Sequence, residues 1–307
     1  MTSHPFLLTI GYTLDTEYLT AFISVVENQS FSLAGEQLHL TQPAVSKRIQ
    51  TLEKLLNVQL FDRSQKKLQL TDAGHQLIDP ARKVLSELQN LKLTVKNLEV
   101  EVSGELKVTC SHHIGLHRLP PVLKQFSQRN PNVNLKFSFA ESEKAYRELR
   151  NNQTDLAFIT IDDNCGPDFN IHLSLDDPMN LVCSTSHPLA GLAQVTIDDI
   201  AQYAAILPDE GTYLFKLVDR LFREKNRQLQ ASMPTNYLET IKMMVHAGLG
   251  WSVLPNLMID ETLCALNVEQ LKISRNLGIV TLNKRVISRA SSAFISSTRQ
   301  IWADHGA

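Results

Sequence analysis

The stretch SFSLAGEQLHLTQPAVSKRIQTLEKLLNVQLFDRSQKKLQLTDAG, residues 30–74, contains the pattern that decides the fold. Ala34 and Leu38 stand at helical spacing and predict a short helix, with Ser30 or Ser32 as its cap. Thr41 is a favoured N-cap for the next helix, and Pro43 fits its first turn because proline lacks the N–H that would be unpaired there. Two short helices joined by a tight turn are typical of a helix-turn-helix.

The second of these helices has two unlike faces. Apolar residues at helical spacing predict that one face packs into a core: Val45, Ile49, Leu52 and Leu56. The opposite face is polar and basic at its N-terminal end, where Gln42, Ser46 and Lys47 are our candidates for contacts with base edges. The alternative interpretation is a solvated face, which is the commoner role of a charge run.

Two alternating segments follow, at 58–61 and 67–70, and predict a two-stranded wing whose turn is basic. Residues 41–67 contain Lys47, Arg48, Lys54, Arg63, Lys66 and Lys67 against only Glu53 and Asp62. The whole chain has a formal net charge of −2. A local basic excess within a nearly neutral protein indicates a small DNA-binding module.

The same stretch resembles the N-terminal DNA-binding domain of LysR-type transcriptional regulators. The marks of the resemblance are Ser30-Phe31, Ala34, Leu38, TQPAVS at 41–46, Leu52-Glu53, LFDR at 60–63 and TDAG at 71–74. It implies that Gln42, Pro43, Ser46 and Lys47 contact bases, with Arg63 and the wing near phosphates. Lys47 replaces a frequent arginine, and a point charge reads guanine less strictly than a bidentate fork. The full set of predicted DNA contacts is Ser32, Thr41, Gln42, Pro43, Ser46, Lys47, Arg48, Gln50, Arg63, Lys66 and Lys67.

A heptad repeat after residue 71 predicts a long helix. Its seam is formed by Leu77, Val84, Leu91 and Leu98, and by Ala81, Leu88, Val95 and Val102. Such a seam predicts a homodimer through residues 71–103, and a homotetramer is the expected assembly; the alternative is packing on its own domain. Pro80 should loosen the first turns, and Ser103-Gly104 should end the helix. A two-fold dimer predicts a pseudo-palindromic double-stranded operator.

From Glu105 onward, apolar runs alternate with helical segments, which predicts a parallel-type α/β sheet. No GxGxxG or GxxxxGK[ST] motif accompanies these runs, so nucleotide binding has no support. Residues 104–137, 152–161 and 245–255 resemble the effector domain of the same family, which implies the two-lobed fold of periplasmic binding proteins.

In that fold the ligand lies between the lobes. We place the crossings between lobes near Asp177 and Ser274, so that lobe 1 is 104–177 with 275–307 and lobe 2 is 178–274. The resemblance implies these effector contacts: Ser111, His112, His113, Thr160, Pro208, Gly211, Thr212, Asn236 and Tyr237. Helix N-termini at these positions suit an anion, so an anionic small molecule is the preferred effector; the alternative is that these are ordinary cap and loop residues.

Other chemistry has weaker support. Cys110, Cys165, Cys183 and Cys264 are scattered without CxxC spacing, which argues against a disulfide framework and a zinc module. Cys110 with His112, His113 and His117 is a conceivable zinc or copper set, but nothing requires these side chains to converge, and we expect neither metal nor cofactor. A Cys–His nucleophile would need an orienting group and an oxyanion motif that we do not find, so we expect no enzyme.

Two alternative functions remain. Peroxide-sensing members of the family use a close cysteine pair in the second lobe, whereas Cys183 and Cys264 are far apart in sequence; Met243-Met244 and Met258 at helical spacing indicate core filling. Oxidant sensing is therefore one alternative. The other is a solute-binding protein or enzyme that keeps a passive winged domain.

The chain has 307 residues, of which 43% are hydrophobic and 20% charged, as in ordinary globular proteins of more than one domain. No run approaches ~18 apolar residues, and the N-terminus lacks a signal-peptide pattern, so we expect a cytoplasmic protein without a membrane partner. The prediction is an α+β multidomain protein: a winged helix-turn-helix at 1–70, with 1–13 as an extension, a linker helix at 71–103 and an effector domain at 104–307. We expect a sequence-specific DNA-binding transcriptional regulator controlled by a small-molecule effector.

Overall fold

A computed structural model describes residues 14–62, 68–98, 101–162, 166–268 and 273–304. The chain divides into two compact units, Met1–Val95 and Lys96–Ala307. Several predictions fall outside the described residues: those for Arg63, Lys66 and Lys67, for Cys165, and for the extension 1–13. None of the helices in the described ranges is long and apolar enough to cross a membrane.

The first unit begins with three helices, α1 (Thr16–Asn28), α2 (Phe31–Leu38) and α3 (Gln42–Leu56). Their N-caps are Asp15, Ser30 and Thr41, and each cap side chain accepts a backbone N–H from the first turn. Ser32 lies inside α2. Between α2 and α3 the chain turns at His39, which has a left-handed backbone. The predicted helix-turn-helix is confirmed.

The apolar face of α3 packs into the core of this unit. Val45, Ile49 and Leu52 are fully buried in one cluster with Phe22 of α1. The prediction for Leu56 is wrong, because this last residue of α3 is exposed and the chain turns away at Asn57.

The wing is shorter than predicted. Its strands are β1 (Phe61–Asp62) and β2 (Gln69–Leu70), which pair antiparallel, so 58–60 is not strand and Asp62 is not in the turn. The reason lies in Glu53, whose buried carboxylate accepts the N–H groups of Leu60 at 2.9 Å and Phe61 at 3.4 Å. Because these two N–H groups donate to a side chain of α3, the Leu60 N–H is not available for strand pairing. The Glu53 carboxylate therefore fixes where the wing begins.

Helix α4 (Asp72–Lys96) continues through Pro80. Its N-terminal half packs on its own domain, because Ala81 is buried in the core of the first unit beside Leu77. Farther along, Val84, Leu91 and Val95 are 47%, 63% and 62% exposed. The first part of the helix therefore follows the alternative interpretation, packing on its own domain, and pairing through the exposed part stays a prediction.

The predicted end of this helix at Ser103-Gly104 is wrong. After Lys96 the backbone is held in the second unit, where the Asn97 side chain donates to the Ile287 carbonyl and accepts the Arg289 N–H. Val102 does not extend the seam, because it packs against a core of the second unit.

The second unit is built on a mixed seven-stranded sheet in the order β10-β6-β11-β5-β3-β4, with β9 also paired to β6. Its strands are β3 (Gly104–Cys110), β4 (Val133–Phe139), β5 (Leu156–Thr160), β6 (Phe169–Ser184), β9 (Ser252–Pro255), β10 (Leu263–Ala265) and β11 (Ile273–Leu282). The expectation of a parallel-type sheet holds only for β3 with β4 and β5; β6 and β11 run antiparallel to their neighbours.

Helices cover the sheet at both ends. They are α5 (His112–His117), α6 (Pro120–Arg129), α7 (Ser142–Arg150), α8 (Ile197–Ile200), α9 (Tyr213–Glu224), α10 (Leu238–His246) and α11 (Arg289–Asp304). A small parallel pair, β7 (Ala205–Ile206) and β8 (Ala231–Ser232), completes the second half.

The long strands β6 and β11 run through both halves of this unit. Asp177 lies opposite Arg275, and Pro178 lies opposite Ser274. Apolar residues on one side of this point form one cluster that contains Phe158 and Phe294 and a second that contains Tyr146 and Phe169, and those on the other side form a cluster around Trp251. Asp177 and Ser274 thus lie beside one another between the Phe158 side, here called lobe 1, and the Trp251 side, here called lobe 2. The exact bounds of the lobes stay a prediction.

Gly74 offers a test of how the wing is joined to α4. A Cβ atom at this position would lie 2.3 Å from the Leu60 carbonyl oxygen. We expect Gly74→Ala to lower the free energy of unfolding of the first unit by about 1–3 kcal/mol through overpacking. Hydrogen exchange of the α1 amides in the full chain measures this loss. The matched control is Gly191→Ala, where a Cβ meets no atom within 4 Å; equal protection in both variants would contradict the expectation.

Candidate DNA-reading face and effector cleft

The predicted DNA contacts within the described residues gather at the N-terminal half of α3. Thr41 caps the helix, and Gln42, Pro43, Lys47 and Gln50 are exposed. Ser46 is half-buried and accepts a hydrogen bond from the Gln50 amide at 3.5 Å. Ser32 is exposed on α2. Gln42, Pro43, Ser46, Lys47 and Gln50 share one face of α3, and Ser32 lies on α2. Their role as DNA contacts stays a prediction.

Arg48 differs from the others. It is half-buried and forms an ion pair with Glu17 in the first turn of α1. The guanidinium therefore ties α3 to α1, and a DNA phosphate would have to share it with a carboxylate. Because Glu17 is 31 positions away, the periodicity around α3 does not indicate this partner.

A cleft that is partly open to solvent lies between the two lobes. It is lined by Ser111, His112, His113, Glu141, Ser142, Glu143, Thr160, Pro208, Thr212, Tyr213, Leu214, Asn236, Leu238 and Arg275. All the predicted effector contacts except Gly211 and Tyr237 are among these residues. Gly211 directly precedes Thr212, the N-cap of α9, and Tyr237 is the exposed N-cap of α10, with its ring 5.0 Å from that of His112.

A charged cluster forms the inner end of the cleft. Arg275 is buried, and its Nε donates to Asp177 Oδ2 at 2.9 Å. Arg118 Nη2 donates to the other oxygen of Asp177 at 3.4 Å. Two guanidiniums against one carboxylate leave an excess of one positive charge. Arg275 was not among the predicted contacts, although a charged residue inside the apolar strand pattern of β11 was an available signal.

His113 completes this cluster as a neutral side chain. Its Nε2 lies 2.7 Å from Arg275 Nη2. An arginine can only donate, so Nε2 is the acceptor and the ring proton is on Nδ1. Burial, followed by repulsion from Arg275, lowers the pKa of His113 well below its ordinary value. His113 thus presents a neutral N–H donor across the physiological pH range.

Hydroxyl groups lie beside this cluster. Ser142 accepts the Thr160 N–H at 3.2 Å, and its hydroxyl is 3.3 Å from that of Ser111. Thr160 is buried, and its own hydroxyl has no hydrogen-bond partner within the described ranges. A ligand atom in the cleft can therefore bind this hydroxyl without displacing a protein group.

The outer part of the cleft is acidic. Glu143 at the start of α7 accepts the N–H of Tyr213, the first residue of α9, at 3.1 Å. Burial, and then repulsion from Glu143 and Asp209, raises the pKa of Glu141. Asp209 is held by Asn236, which accepts its N–H at 3.0 Å and donates to its carboxylate at 2.8 Å. Glu141, Ser142 and Glu143 were not among the predicted contacts, since polar residues that start a helix are common in any α/β domain.

The side chains considered for a metal do not converge. Cys110 is buried in the core of lobe 1, and His113 faces Arg275. His112 and His117 instead face Glu239 of α10, with N–O distances of 3.5 Å and 3.0 Å. Within the described residues, no group of three or more His, Cys, Asp or Glu side chains is arranged to hold a metal ion.

Comparisons with known proteins cover both units. Two family models match: the LysR substrate binding domain over residues 100–303, and the bacterial regulatory helix-turn-helix protein of the lysR family over residues 16–75. A probable RuBisCO transcriptional regulator from Synechocystis sp. is 29% identical over 307 residues, which span 96% of this chain and 88% of that protein.

Solved structures share the fold. A full-length OxyR variant from Pseudomonas aeruginosa superposes with a TM-score of 0.69 at 22% identity, over 94% of this chain and 96% of that one. The effector binding domain of QuiR in complex with shikimate gives a TM-score of 0.58 at 23% identity, over 66% of this chain and 99% of that one.

The buried cluster predicts a large effect of removing its carboxylate. Asp177→Ala leaves Arg275 and Arg118 uncompensated, and we expect a loss of about 3–5 kcal/mol in the free energy of unfolding. Urea denaturation of the full chain measures it. The control is Asp176→Ala, an exposed neighbour on the same strand, for which we expect about 1 kcal/mol or less. Similar losses in both variants would show that the cluster is not a stabilising centre.

Proposed function

The chain belongs to the LysR family of bacterial transcriptional regulators, and on that basis we propose how its two units act together. The helix-turn-helix binds double-stranded DNA, and a small molecule in the cleft between the lobes controls that binding. The observation that carries the proposal is that one chain contains both an exposed polar face on α3 and a cleft whose donors are free for a ligand.

Base recognition is proposed for the N-terminal half of α3. A recognition helix enters the major groove with its first turns, where side chains reach base edges. Gln42 and Lys47 are exposed there, and Pro43 and Ser46 lie between them. The first turn of α3 also presents N–H groups that suit a backbone phosphate. The wing, with Arg63, Lys66 and Lys67, is proposed to contact phosphates.

Dimerisation is proposed through the linker at 71–103, chiefly the exposed part of α4. Val84, Leu91 and Val95 follow heptad spacing and leave apolar side chains in solvent in a single chain. Pairing of two copies would bury this stripe. A two-fold dimer then presents two copies of α3 to a pseudo-palindromic operator, and a homotetramer is proposed as a pair of such dimers.

An anionic effector is proposed, directed at the inner end of the cleft. That end has an excess positive charge, and three donors there have no protein acceptor among the described residues: Arg275 Nη1, His113 Nδ1 and the Thr160 hydroxyl. Glu141 and Glu143 limit the effector to a single compact anion, because a second negative group at the outer part would meet their carboxylates.

Effector binding is proposed to act through lobe closure. The ligand contacts come from both lobes, so a bound molecule favours the closed arrangement over the open one by its differential affinity. Closure changes the spacing of the DNA-binding units in the oligomer and the bend they impose on DNA. We place this action in the cytoplasm, because the target is chromosomal DNA.

The alternatives are not favoured. The relatives matched over nearly the whole chain are regulators, which disfavours a solute-binding protein or enzyme with a passive winged domain. The names of these relatives also give no support to oxidant sensing as the main function.

The DNA proposal predicts a loss of affinity at named residues. Genomic fragments selected by the purified protein supply the operator, and fluorescence anisotropy at constant salt measures Kd. We expect Gln42→Ala and Lys47→Ala each to lose about 1–3 kcal/mol, roughly 5–150-fold in Kd. Lys225→Ala, which removes an exposed cation from the second unit, serves as the control. Selected fragments that bind no better than random DNA would refute the proposal.

The effector proposal predicts a pH dependence. Small acids that remain ionised are tested for an upward shift of the thermal midpoint, and calorimetry then measures affinity from about pH 5 to 8. Because the raised pKa of Glu141 keeps more of it protonated as the pH falls, an anion should bind more tightly at the lower pH. Glu141→Gln should bind several-fold more tightly at neutral pH with a flatter profile. The control is Glu105→Gln, since Glu105 lies in β3 and does not line the cleft. Tighter binding at high pH would contradict an anionic effector.

A further inference from the structure

Two cysteines that are distant in sequence lie directly opposite each other in lobe 2. Cys264 of the edge strand β10 pairs in register with Cys183 of β6. Directly opposite residues of an antiparallel pair project from the same face of the sheet, with Cβ atoms about 4.5–5.5 Å apart. The separation of the two cysteines along the sequence is therefore no argument against a close pair, because the strand pairing joins positions that the sequence separates.

The hydrogen-bond pattern defines the geometry of this pair. Leu266 N–H donates to the Leu181 carbonyl at 2.8 Å, and pairs alternate along the ladder, so Cys183 and Cys264 form a hydrogen-bonded pair. Such pairs have a Cα separation of about 5.5 Å, which is within the usual span of about 5.5–6 Å for a disulfide. The Cβ atoms need to approach by roughly 1 Å. A three-residue strand with no partner on its outer side among the described strands can shift by that amount.

We propose that Cys183 and Cys264 are a modification site at which a reversible disulfide forms by exchange with a low-molecular-weight disulfide. This inference does not rest on the proposed function, because it concerns the core and edge of lobe 2 and not the cleft or α3.

The two thiols are unequal, which sets the order of the exchange. Cys183 is fully buried, whereas Cys264 is partly exposed at the margin of the lobe 2 core, and its Sγ donates to the Ala265 carbonyl at 3.7 Å. The Cys264 thiolate attacks the external disulfide, forms a mixed disulfide and releases one small thiol. Cys183 then attacks the Cys264 sulfur, closing the protein disulfide and releasing the second small thiol. Two protein thiols and one external disulfide thus become one protein disulfide and two small thiols.

The second step is slow near neutral pH. Burial, and then the neighbouring Cys264, raises the pKa of Cys183 to about 11. Cys264 is the one titratable group that acts on this thiol among the described residues, since the rest of its surroundings belong to the apolar core of lobe 2. The thiolate fraction of Cys183 therefore rises about tenfold per pH unit below that value, and closure should accelerate accordingly.

The bond would constrain lobe 2. It closes the loop from residue 183 to residue 264, which contains the cleft residues Pro208, Thr212 and Asn236. Closing a loop in the unfolded chain stabilises the folded state. The oxidised protein should therefore have a higher thermal midpoint than the reduced protein.

The test uses the folded, full-length protein incubated with oxidised glutathione at two pH values, quenched with an alkylating agent and mapped by mass spectrometry. We expect a peptide pair that links Cys183 to Cys264, formed about tenfold faster for each unit of pH, and reversed by reduced dithiothreitol. The matched controls are Cys165→Ser, which should still form the link, and Cys264→Ser, which should leave Cys183 reduced.

Three results would overturn the proposal. They are a link that includes Cys165 or Cys110 in place of this pair, a mixed disulfide on Cys264 that never resolves, and four thiols that all stay reduced. The wild-type protein alone decides among these outcomes, so a variant that fails to fold does not weaken the test. DNA binding by the oxidised protein is measured separately, and its failure would not bear on whether the bond forms.

Discussion

The pairing of β6 with β11 is the constraint on which the second unit depends. These strands are the only described elements that run through both lobes, and their register sets Asp177 against Arg275 at the point where one lobe passes into the other. A buried guanidinium needs a paired carboxylate, since leaving either charge alone costs several kcal/mol. A shift in the register would separate these two charges, so the register is strongly fixed. The positions of the side chains at the inner end of the cleft are fixed with it. His113 is oriented by Arg275, and Arg118 is drawn to the second oxygen of Asp177.

Much of this architecture follows from local patterns in the sequence. The caps Ser30 and Thr41, the apolar face of α3 and the change from helical to alternating periodicity after residue 104 each depend on neighbours within a few positions. The crossings near Asp177 and Ser274 come from the resemblance to a family and not from periodicity. Local patterns failed at boundaries, where a distant group intervenes: Glu53 takes the N–H groups that would have extended β1, and Asn97 is held by residues near 287–289.

Side chains whose role is set by a distant partner were beyond sequence reasoning. Arg48 was interpreted by its place on α3, but Glu17 on α1 also holds it. The charge of Arg275 within a mostly apolar strand was a signal, but that strand alone does not indicate its partners Asp177 and His113. Cys183 and Cys264 were judged by their sequence separation, whereas the order of strands in the sheet decides what they face. In each case the missing information is which elements are neighbours, and periodicity along one element does not contain it.

The contact between Glu143 and the first N–H of α9 joins the two lobes across the cleft without a ligand. The N-terminus of a helix favours an anion, and here a carboxylate from lobe 1 occupies the first N–H of a helix in lobe 2. An anionic effector that used this helix would have to displace Glu143, and would then gain little over the interaction it replaced. Arg275 Nη1 and the Thr160 hydroxyl have no such competitor among the described residues. Discrimination between effectors should therefore arise at the inner end of the cleft, where the donors do not have to be taken from a protein carboxylate.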